Sequence, residues 1–440
     1  MRVAYQAGAL RALEEEGLTF FHADGTSGGT INLAMLLSGL SPAEMCERWR
    51  TLDVRQFVSL LSLKKYLRSL NWPAFGGADG LVGHVYPHLG IDVEQIRAAR
   101  GIEGTFNVCD YTDKTNWAVP HAEVDLDLLV AGVSLPMLMP PVARGGKLYL
   151  DSVWIKDANP TKAVRRGCEE IWLLWCIGNT GVYRSGAFNQ YVHMIELSAN
   201  GGLFEELGHL RTERGAAAPR LHVIKPEYPL PLDPDFYLGR ISAAALIASG
   251  YRDAKRYLAG RSDDDIPYDT PATRMRDPVP GAALAERLAG TAVIDGRAGS
   301  LAVEVRAEIR DLEQFLAGPE RTGELVGIVD SEVLGRGLLA RSGSFRLASG
   351  RLHYEVVFAH AGREFCLVVS APRRPWGRAE AILHDGSSSD APVAGTGTLN
   401  SGLRGGLRLL RSLQATGTDS PRRQIVNVAR LARALVARRS

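Results

Sequence analysis

The spacing of hydrophobic residues changes near residue 280, and the change predicts two kinds of domain. Before that point, short apolar runs alternate with stretches whose apolar residues recur at every third or fourth position. Alternating strands and helices of this kind predict an α/β domain over residues 1–260, layered around a central, mostly parallel sheet. Beyond the change, apolar and charged residues alternate one by one, which predicts a smaller antiparallel β domain over residues 284–383.

The elements of the first domain can be placed from the same pattern. A helix is expected to begin near Tyr5 and to end at Gly17, and one short apolar run separates it from a second helix at 31–40. The other expected elements are strands at 105–110, 117–119, 148–150, 170–177 and 221–226 and helices at 42–49, 125–133, 161–168 and 238–258. The strand at 148–150 ends directly before Asp151.

The remaining segments are polar or basic. Residues 261–283 contain three consecutive aspartates and several prolines, which is typical of a linker. Residues 384–397 are rich in glycine and serine, and we expect them to be flexible. The last residues, up to 440, carry many arginines, and the spacing of their apolar residues predicts a basic C-terminal helix suited to an anionic membrane surface.

The composition is that of an ordinary globular protein, since 45% of the 440 residues are hydrophobic and 23% are charged. No apolar run reaches the length of about 18 residues that a transmembrane helix needs. Glu14, Glu15 and Glu16 argue against a signal peptide, and the five cysteines lack the spacing of disulfide or zinc sites. We expect a cytoplasmic protein with no metal or cofactor, and the net charge of +2 gives no sign of a nucleic-acid partner.

The stretch from Phe20 to Thr30 carries the clearest candidate chemistry. A short apolar run is followed by Gly25-Thr26-Ser27-Gly28-Gly29 and then by a helical pattern. This order of strand, G-x-S-x-G and helix is the nucleophile elbow of serine hydrolases, in which glycines permit a tight turn and the helix N-terminus favours an oxyanion. Ser27 is therefore the candidate nucleophile. No lysine follows the glycines, which excludes a phosphate-binding P-loop.

A serine nucleophile needs an adjacent base. Asp151 is a candidate, because it follows a short strand and precedes Ser152, which is small enough for close approach. A Ser–His–Asp triad on an α/β-hydrolase fold stays an alternative, although several strand–helix units precede the elbow in that fold and only one helix and one strand do here. His22 lies beside the elbow, where we expect it to pack or to face solvent.

Four segments, in order and at fitting spacing, resemble the patatin-like phospholipases. They are the first helix (5–17), the elbow (25–32), the segment before the second catalytic strand (131–142), and Tyr149-Leu150-Asp151 with Asp157-Ala158-Asn159-Pro160. The resemblance extends over residues 1–258. It implies a layered α/β fold and an acyl hydrolase without cofactor, in which Ser27 is the nucleophile and Asp151 is the base of a two-residue dyad.

The chain departs from this family in two places. The family has a strand and a glycine-rich oxyanion loop before its first helix, of which only Met1 and Arg2 have counterparts here, and Val3 replaces a glycine. The candidate oxyanion and elbow residues that remain are Gly25, Gly28, Gly29 and Arg2. We expect either that the natural chain begins upstream of Met1 or that the protein is an impaired, lipid-binding relative. The second departure is Ser152, because the family's aspartate is usually followed by glycine.

The resulting expectation is a phospholipase- or lipase-like serine hydrolase that cleaves fatty-acyl esters through an acyl-Ser27 intermediate. A lipid or acyl ester is the expected partner, with peripheral contact to an anionic membrane through the arginine-rich C-terminus. The second domain faintly resembles a small β domain attached to some bacterial sterol-oxidising flavoenzymes. Because the chain has no flavin-binding fingerprint, that resemblance implies no activity.

Overall fold

The computed structural model describes most of the chain: residues 2–53, 59–60, 74, 76–231, 241–261, 270–318, 321–348, 350–372, 377–402, 409, 411–418 and 420–436. The chain packs as two compact units, which are Met1–Leu230 with Tyr257–Met275, and Pro231–Arg256 with Arg276–Ser440. The first unit mixes helices with sheets, and the second is an antiparallel β-barrel. The α/β class with a separate antiparallel β domain is confirmed, and the exact domain boundaries expected from the sequence stay predictions. The five-stranded sheet of the first unit has one parallel and three antiparallel strand pairs, so it is not mostly parallel as expected.

The first unit contains eight of the α-helices that the described residues form. They are α1 (Ala4–Glu15), α2 (Gly28–Leu37), α3 (Pro42–Thr51), α4 (Tyr86–Leu89), α5 (Val93–Ala98), α6 (Leu126–Ala131), α7 (Pro160–Arg165) and α8 (Ala187–Arg214). Its strands are β1 (His22–Gly25), β2 (Ser59–Leu60), β3 (Gly76–Gly77), β4 (Glu103–Asp110), β5 (Thr115–Pro120), β6 (Val142–Arg144), β7 (Lys147–Asp151), β8 (Glu170–Leu174) and β9 (Arg220–Ile224). The strands and helices predicted individually between residues 4 and 226 are present, with ends shifted by a few residues.

Strand β4 lies at the centre of a five-stranded sheet and brings two strand ends together. β5 pairs antiparallel with β4 along residues 105–110, so β1 and β7 both occupy the opposite edge of β4. β1 runs parallel to β4 and places Gly25 opposite Phe106. β7 runs antiparallel and places Asp151 opposite Val108. The carboxyl ends of β1 and β7 therefore meet on either side of one residue of β4, Asn107.

The first unit also contains a second, smaller sheet, which packs against a long helix. β8 and β9 form a parallel pair, and β8 is half-buried along its length rather than fully interior as its apolar sequence suggested. Trp175, which follows β8, packs with Leu203 and Leu207 of α8 and with Leu221 of β9. The long helix α8 is thereby held against this strand pair.

Eight antiparallel strands close into a barrel in the second unit. They are β10 (Gly281–Ile294), β11 (Arg297–Ile309), β12 (Arg321–Ser331), β13 (Gly335–Ala348), β14 (Arg351–His360), β15 (Arg363–Pro372), β16 (Ala379–Asp385) and β17 (Val393–Asn400). Each pairs with the next, and β10 pairs with both β11 and β17, which closes the barrel. The short strand β18 (Gln414–Thr416) adds to the first residues of β10.

Alternate residues of these strands fill the barrel interior, as the two-residue period predicts. Leu284, Val303 and Phe358 belong to one buried cluster, and Leu431 and Leu435 of the C-terminal helix join it. The helices of this unit are α9 (Ala243–Ala259), of which residues 243–256 pack with the barrel, α10 (Leu312–Ala317) and α11 (Pro421–Val436). Residues 238–240, where α9 was expected to begin, lie outside the described residues. Within the described ranges, no helix is long and apolar enough to cross a membrane.

The stretch expected to be flexible after residue 383 is in part a barrel strand. β16 continues to Asp385 and β17 begins at Val393. Here the glycines indicate close packing: a Cβ on Gly395 would lie 2.7 Å from the carbonyl oxygen of Val293, and one on Gly397 would lie 2.6 Å from that of Thr291. Glycine is needed where two backbones approach this closely, so the expectation of flexibility for residues 384–397 was wrong for residues 384–385 and 393–397.

Candidate active site

Ser27 occupies the turn between β1 and α2 in a strained backbone conformation. Its φ of 53° and ψ of −127° lie in a region that a residue with a side chain rarely adopts. A Cβ on Gly25 would lie 2.8 Å from the carbonyl oxygen of Gly29, and one on Gly28 would collide with Cγ1 of Val3. A side chain at Gly29 would meet open space. The tight turn therefore requires glycine at positions 25 and 28, and it forms the elbow that the sequence predicts.

Asp151 is fully buried at the end of β7, beside this turn. The backbone N–H of Val153 donates to its Oδ1 at 2.9 Å, whereas Oδ2 is buried and has no hydrogen-bond partner in the part of the chain that the structure describes. Burial raises the pKa of Asp151 to about 7, although the hydrogen bond from Val153 and the nearby Ser27 side chain lower it. The two candidate catalytic residues are thus close enough for the serine hydroxyl to influence the carboxyl group.

Two further carboxyl groups lie near this pair, and sequence reasoning did not give either of them a role. Burial raises the pKa of Asp24 to about 7, against a hydrogen bond from Asn107. Burial also raises the pKa of Asp157 to about 8, helped by the charges of Asp151 and Asp24 and opposed by Arg2. In the sequence, Asp24 could have been noticed because it directly precedes Gly25. Asp157 could have been noticed because it begins the Asp-Ala-Asn-Pro motif. In the part of the chain that the structure describes, no group of three or more acidic, histidine or cysteine side chains could hold a metal ion.

The aromatic rings of Tyr191 in α8 and of Trp154 pack edge to face near Asp151. Their ring centroids are 5.8 Å apart, and the charge of Asp151 adds to burial in raising the pKa of Tyr191 to about 12. The Tyr191 hydroxyl donates to the carbonyl oxygen of Pro136 at 2.6 Å. Next to it, Met137 is exposed and has a φ of 70°. Sequence reasoning missed Tyr191, because it lies 31 residues beyond Pro160, the last residue of the motifs that pointed to the site.

The elbow helix also holds the start of α1 in place. Asn32 of α2 donates from Nδ2 to the carbonyl oxygen of Val3 at 2.8 Å and to Oε1 of Gln6 at 3.0 Å. Its Oδ1 accepts from Nε1 of Trp49 at 2.8 Å. Val3 is thereby fixed against Gly28. Gly28 is the first residue of α2, so its backbone N–H has no acceptor within the helix. That N–H is the candidate oxyanion donor on the elbow side.

His22, the histidine nearest to the elbow, packs away from the dyad. Its Nε2 lies 3.0 Å from the hydroxyl of Thr105, and burial, with the charges of Arg166 and Lys162, lowers its pKa to about 4. Within the described ranges, neither Ser27 nor Asp151 has a hydrogen bond to a histidine. The expectation that His22 packs is consistent with these contacts.

Comparison with known proteins adds to this geometry. Residues 1–165 match the model of the family described as patatin-like phospholipase. The matched segment contains Ser27 and Asp151, whereas the resemblance of residues 166–258 and that of the barrel stay predictions. No curated protein matches the chain. Residues 1–165 are therefore similar to the patatin-like phospholipases, which supports lipid acyl hydrolysis as the general class of activity.

Proposed function

We propose that the protein is a serine acyl hydrolase of the phospholipase A or esterase type, with Ser27 as nucleophile and Asp151 as base. One observation carries the proposal: Ser27 stands on a strained elbow beside a buried carboxyl group whose pKa is raised to about 7. A base with a pKa near neutrality is well matched to proton transfer at physiological pH. The family match over residues 1–165 supports a lipid ester as substrate.

The reaction would proceed in two halves. The Ser27 oxygen attacks the ester carbonyl while its proton moves to Asp151, and the developing oxyanion is stabilised by the backbone N–H of Gly28. Collapse of the tetrahedral intermediate breaks the ester bond, and the leaving alcohol takes the proton from Asp151. Water then attacks the acyl-Ser27 ester, gives its proton to Asp151, and a fatty acid leaves as Ser27 recovers the proton.

The test compares the full chain with Ser27→Ala and Asp151→Asn, using p-nitrophenyl butyrate, a dioleoyl phospholipid and a fluorophosphonate probe. We expect both variants to lose hydrolysis and probe labelling while they keep the wild-type unfolding temperature. A matched control is Ser38→Ala, which removes the hydroxyl of a different serine, one that is buried and donates to the Ala34 carbonyl at 2.7 Å. Equal hydrolysis before and after Ser27→Ala would reject the proposal.

Two other functions give different outcomes in the same assays. A lipid-binding relative without turnover would bind the phospholipid, but Ser27 would not react with the fluorophosphonate. A Ser–His–Asp triad would lose activity on substitution of one histidine and keep it in Asp151→Asn. The contacts of His22 with Thr105, away from the dyad, favour the two-residue arrangement.

We also propose peripheral contact with an anionic membrane through α11, and a cytoplasmic location. Arg422 and Arg423 are exposed beside Ile425 and Val426, which are exposed as well. Basic residues next to exposed apolar residues favour anionic lipid surfaces. All five cysteines are free, which supports a reducing compartment. Sedimentation with phosphatidylserine and with phosphatidylcholine vesicles tests the contact, and equal binding by Arg422→Glu/Arg423→Glu would reject it.

A further inference from the structure

Asn107 lies on β4 at the point where the two strands that carry the catalytic pair meet. Its neighbours in the strand, Phe106 and Val108, are opposite Gly25 and Asp151. The side chain of Asn107 is completely buried. A buried amide costs free energy unless its hydrogen bonds are made, so its contacts indicate why a polar residue stands here.

On one side, Asn107 binds the strand that leads to the elbow. Its Nδ2 donates to Oδ1 of Asp24 at 2.7 Å and, at 3.5 Å, to the carbonyl oxygen of Gly25. These acceptors belong to the last two residues of β1, two and three positions before Ser27. The amide nitrogen therefore fixes the end of the strand from which the nucleophile turn begins.

On the other side, Asn107 is connected to the turn that follows Asp151. Its Oδ1 accepts from Nδ2 of Asn116 at 2.9 Å and from Nδ2 of Asn159 at 3.0 Å. Oδ1 of Asn116 in turn accepts from the hydroxyl of Ser152 at 2.6 Å. With two donor and two acceptor bonds, the Asn107 amide uses its full hydrogen-bonding capacity.

We propose that Asn107, Asn116 and Ser152 are positioning residues that fix the separation of the Ser27 turn and the Asp151 carboxyl group. The chain of hydrogen bonds begins at Asp24 and Gly25, passes through Asn107 and Asn116, and ends at Ser152, next to Asp151. Among the described residues, the side-chain hydrogen bonds of these three residues go to groups other than the Ser27 hydroxyl and the Asp151 carboxyl group. This inference rests on the proposed function of Ser27 and Asp151.

Fixing this separation matters because proton transfer from Ser27 to Asp151 tolerates only a small change in distance. The serine proton reaches the carboxylate only within hydrogen-bonding distance, and a shift of about 1 Å can cost on the order of a hundredfold in rate. The Asp151 carboxyl group accepts one backbone hydrogen bond, from Val153, and its Oδ2 has no hydrogen-bond partner among the described residues. The Asp151 backbone N–H donates to the carbonyl oxygen of Ser134 at 3.1 Å. The position of the carboxyl group therefore depends on the strand and on the turn that Ser152 anchors.

The test removes one or two hydrogen bonds at the end of this hydrogen-bond chain that is farthest from the elbow. Ser152→Ala deletes the donor to Asn116, and Asn116→Ala deletes the link between Ser152 and Asn107. Ser38→Ala serves as the control, because Ser38 is also buried and bonds to Ala34 and to the backbone N–H of Asp92. For each variant we would measure the second-order rate of fluorophosphonate labelling at Ser27, kcat and KM on p-nitrophenyl butyrate, and the unfolding temperature.

We expect Ser152→Ala and Asn116→Ala to slow labelling and kcat by about tenfold or more, with KM within about twofold of wild type. Ser38→Ala should lower the unfolding temperature without slowing labelling. Wild-type labelling rates in Ser152→Ala and Asn116→Ala would overturn the positioning role and leave the proposed function intact. An equal loss in Ser38→Ala would overturn it too, because the effect would then follow stability. Failure of the wild-type chain to label at Ser27 would reject the proposed function and this inference together.

Discussion

The rate at which Ser27 reacts with a fluorophosphonate should depend on pH in a way that identifies a buried base. Asp151 must be ionised to accept the serine proton, and burial raises its pKa from 3.8 to about 7. The experiment therefore varies only the pH and uses the wild-type protein. Because the probe reacts with the free enzyme, its second-order rate follows the ionisation of groups in the unliganded site.

The magnitude follows from the two pKa values. With a pKa of about 7, about one Asp151 in a hundred is ionised at pH 5, so the rate should be about a hundredfold below its plateau. With the ordinary value of 3.8, more than about 90% would be ionised at pH 5, and the profile would be flat up to pH 8. The two cases differ by about two orders of magnitude at one pH.

Short labelling pulses between pH 5 and pH 9, with the label located at Ser27 by peptide mapping, would measure this profile. Circular dichroism at each pH controls for unfolding. In Asp157→Asn the midpoint should stay within about half a unit of the wild-type value, because Asp157, with its pKa raised to about 8, is still protonated while Asp151 ionises. A rate that is constant from pH 5 to pH 8 would refute the assignment of Asp151 as a buried base.

Three further outcomes follow from buried contacts. Gly28→Ala should destabilise the protein by about 1–3 kcal/mol in thermal unfolding, because the new methyl group collides with Val3, and Val3→Ala should restore most of the loss. Tyr354→Phe should cost about 1–3 kcal/mol, because Glu286 loses the hydroxyl that donates to it at 2.6 Å inside the barrel, whereas adding Glu286→Leu should recover stability in denaturant titrations. The free energy of unfolding should fall as pH rises from 4 to 8, because the raised pKa values of the three site carboxyl groups make the folded state bind more protons than the unfolded one. An unfolding free energy that rises over this range would contradict those pKa values.

Patterns among residues that are close in the sequence predicted much of both units. The elbow is one such signal, because Gly25, Ser27 and Gly28 are adjacent and their backbone requirements can be stated without any partner strand. The period of two likewise predicted the barrel strands, since alternate burial follows from strand geometry alone. The end of a short strand made Asp151 one candidate base, and the family resemblance implied that role, because no local rule distinguishes it from an aspartate that caps a turn.

Features that depend on strand pairing could not be predicted in this way. Nothing in the sequence indicates that β1 and β7 share one edge of β4, yet that arrangement brings Ser27 to Asp151. The glycines at 395 and 397 favoured a flexible segment, because their close contact with β10 exists only after the barrel closes. Tyr191 was missed for the same reason, since α8 reaches the site only through the tertiary fold.

Ser152 illustrates how such pairing changes the meaning of a departure from a family pattern. By comparison with the family, a serine in place of glycine after Asp151 counts against the motif, and Ser152→Gly should then restore function. In the structure Ser152 is completely buried and its hydroxyl binds Asn116, which binds Asn107 in turn. Glycine would remove that bond and loosen the turn, so Ser152→Gly should label at Ser27 more slowly than wild type. Faster labelling would mean that the family pattern, rather than the hydrogen-bond chain of this protein, governs the position of Asp151.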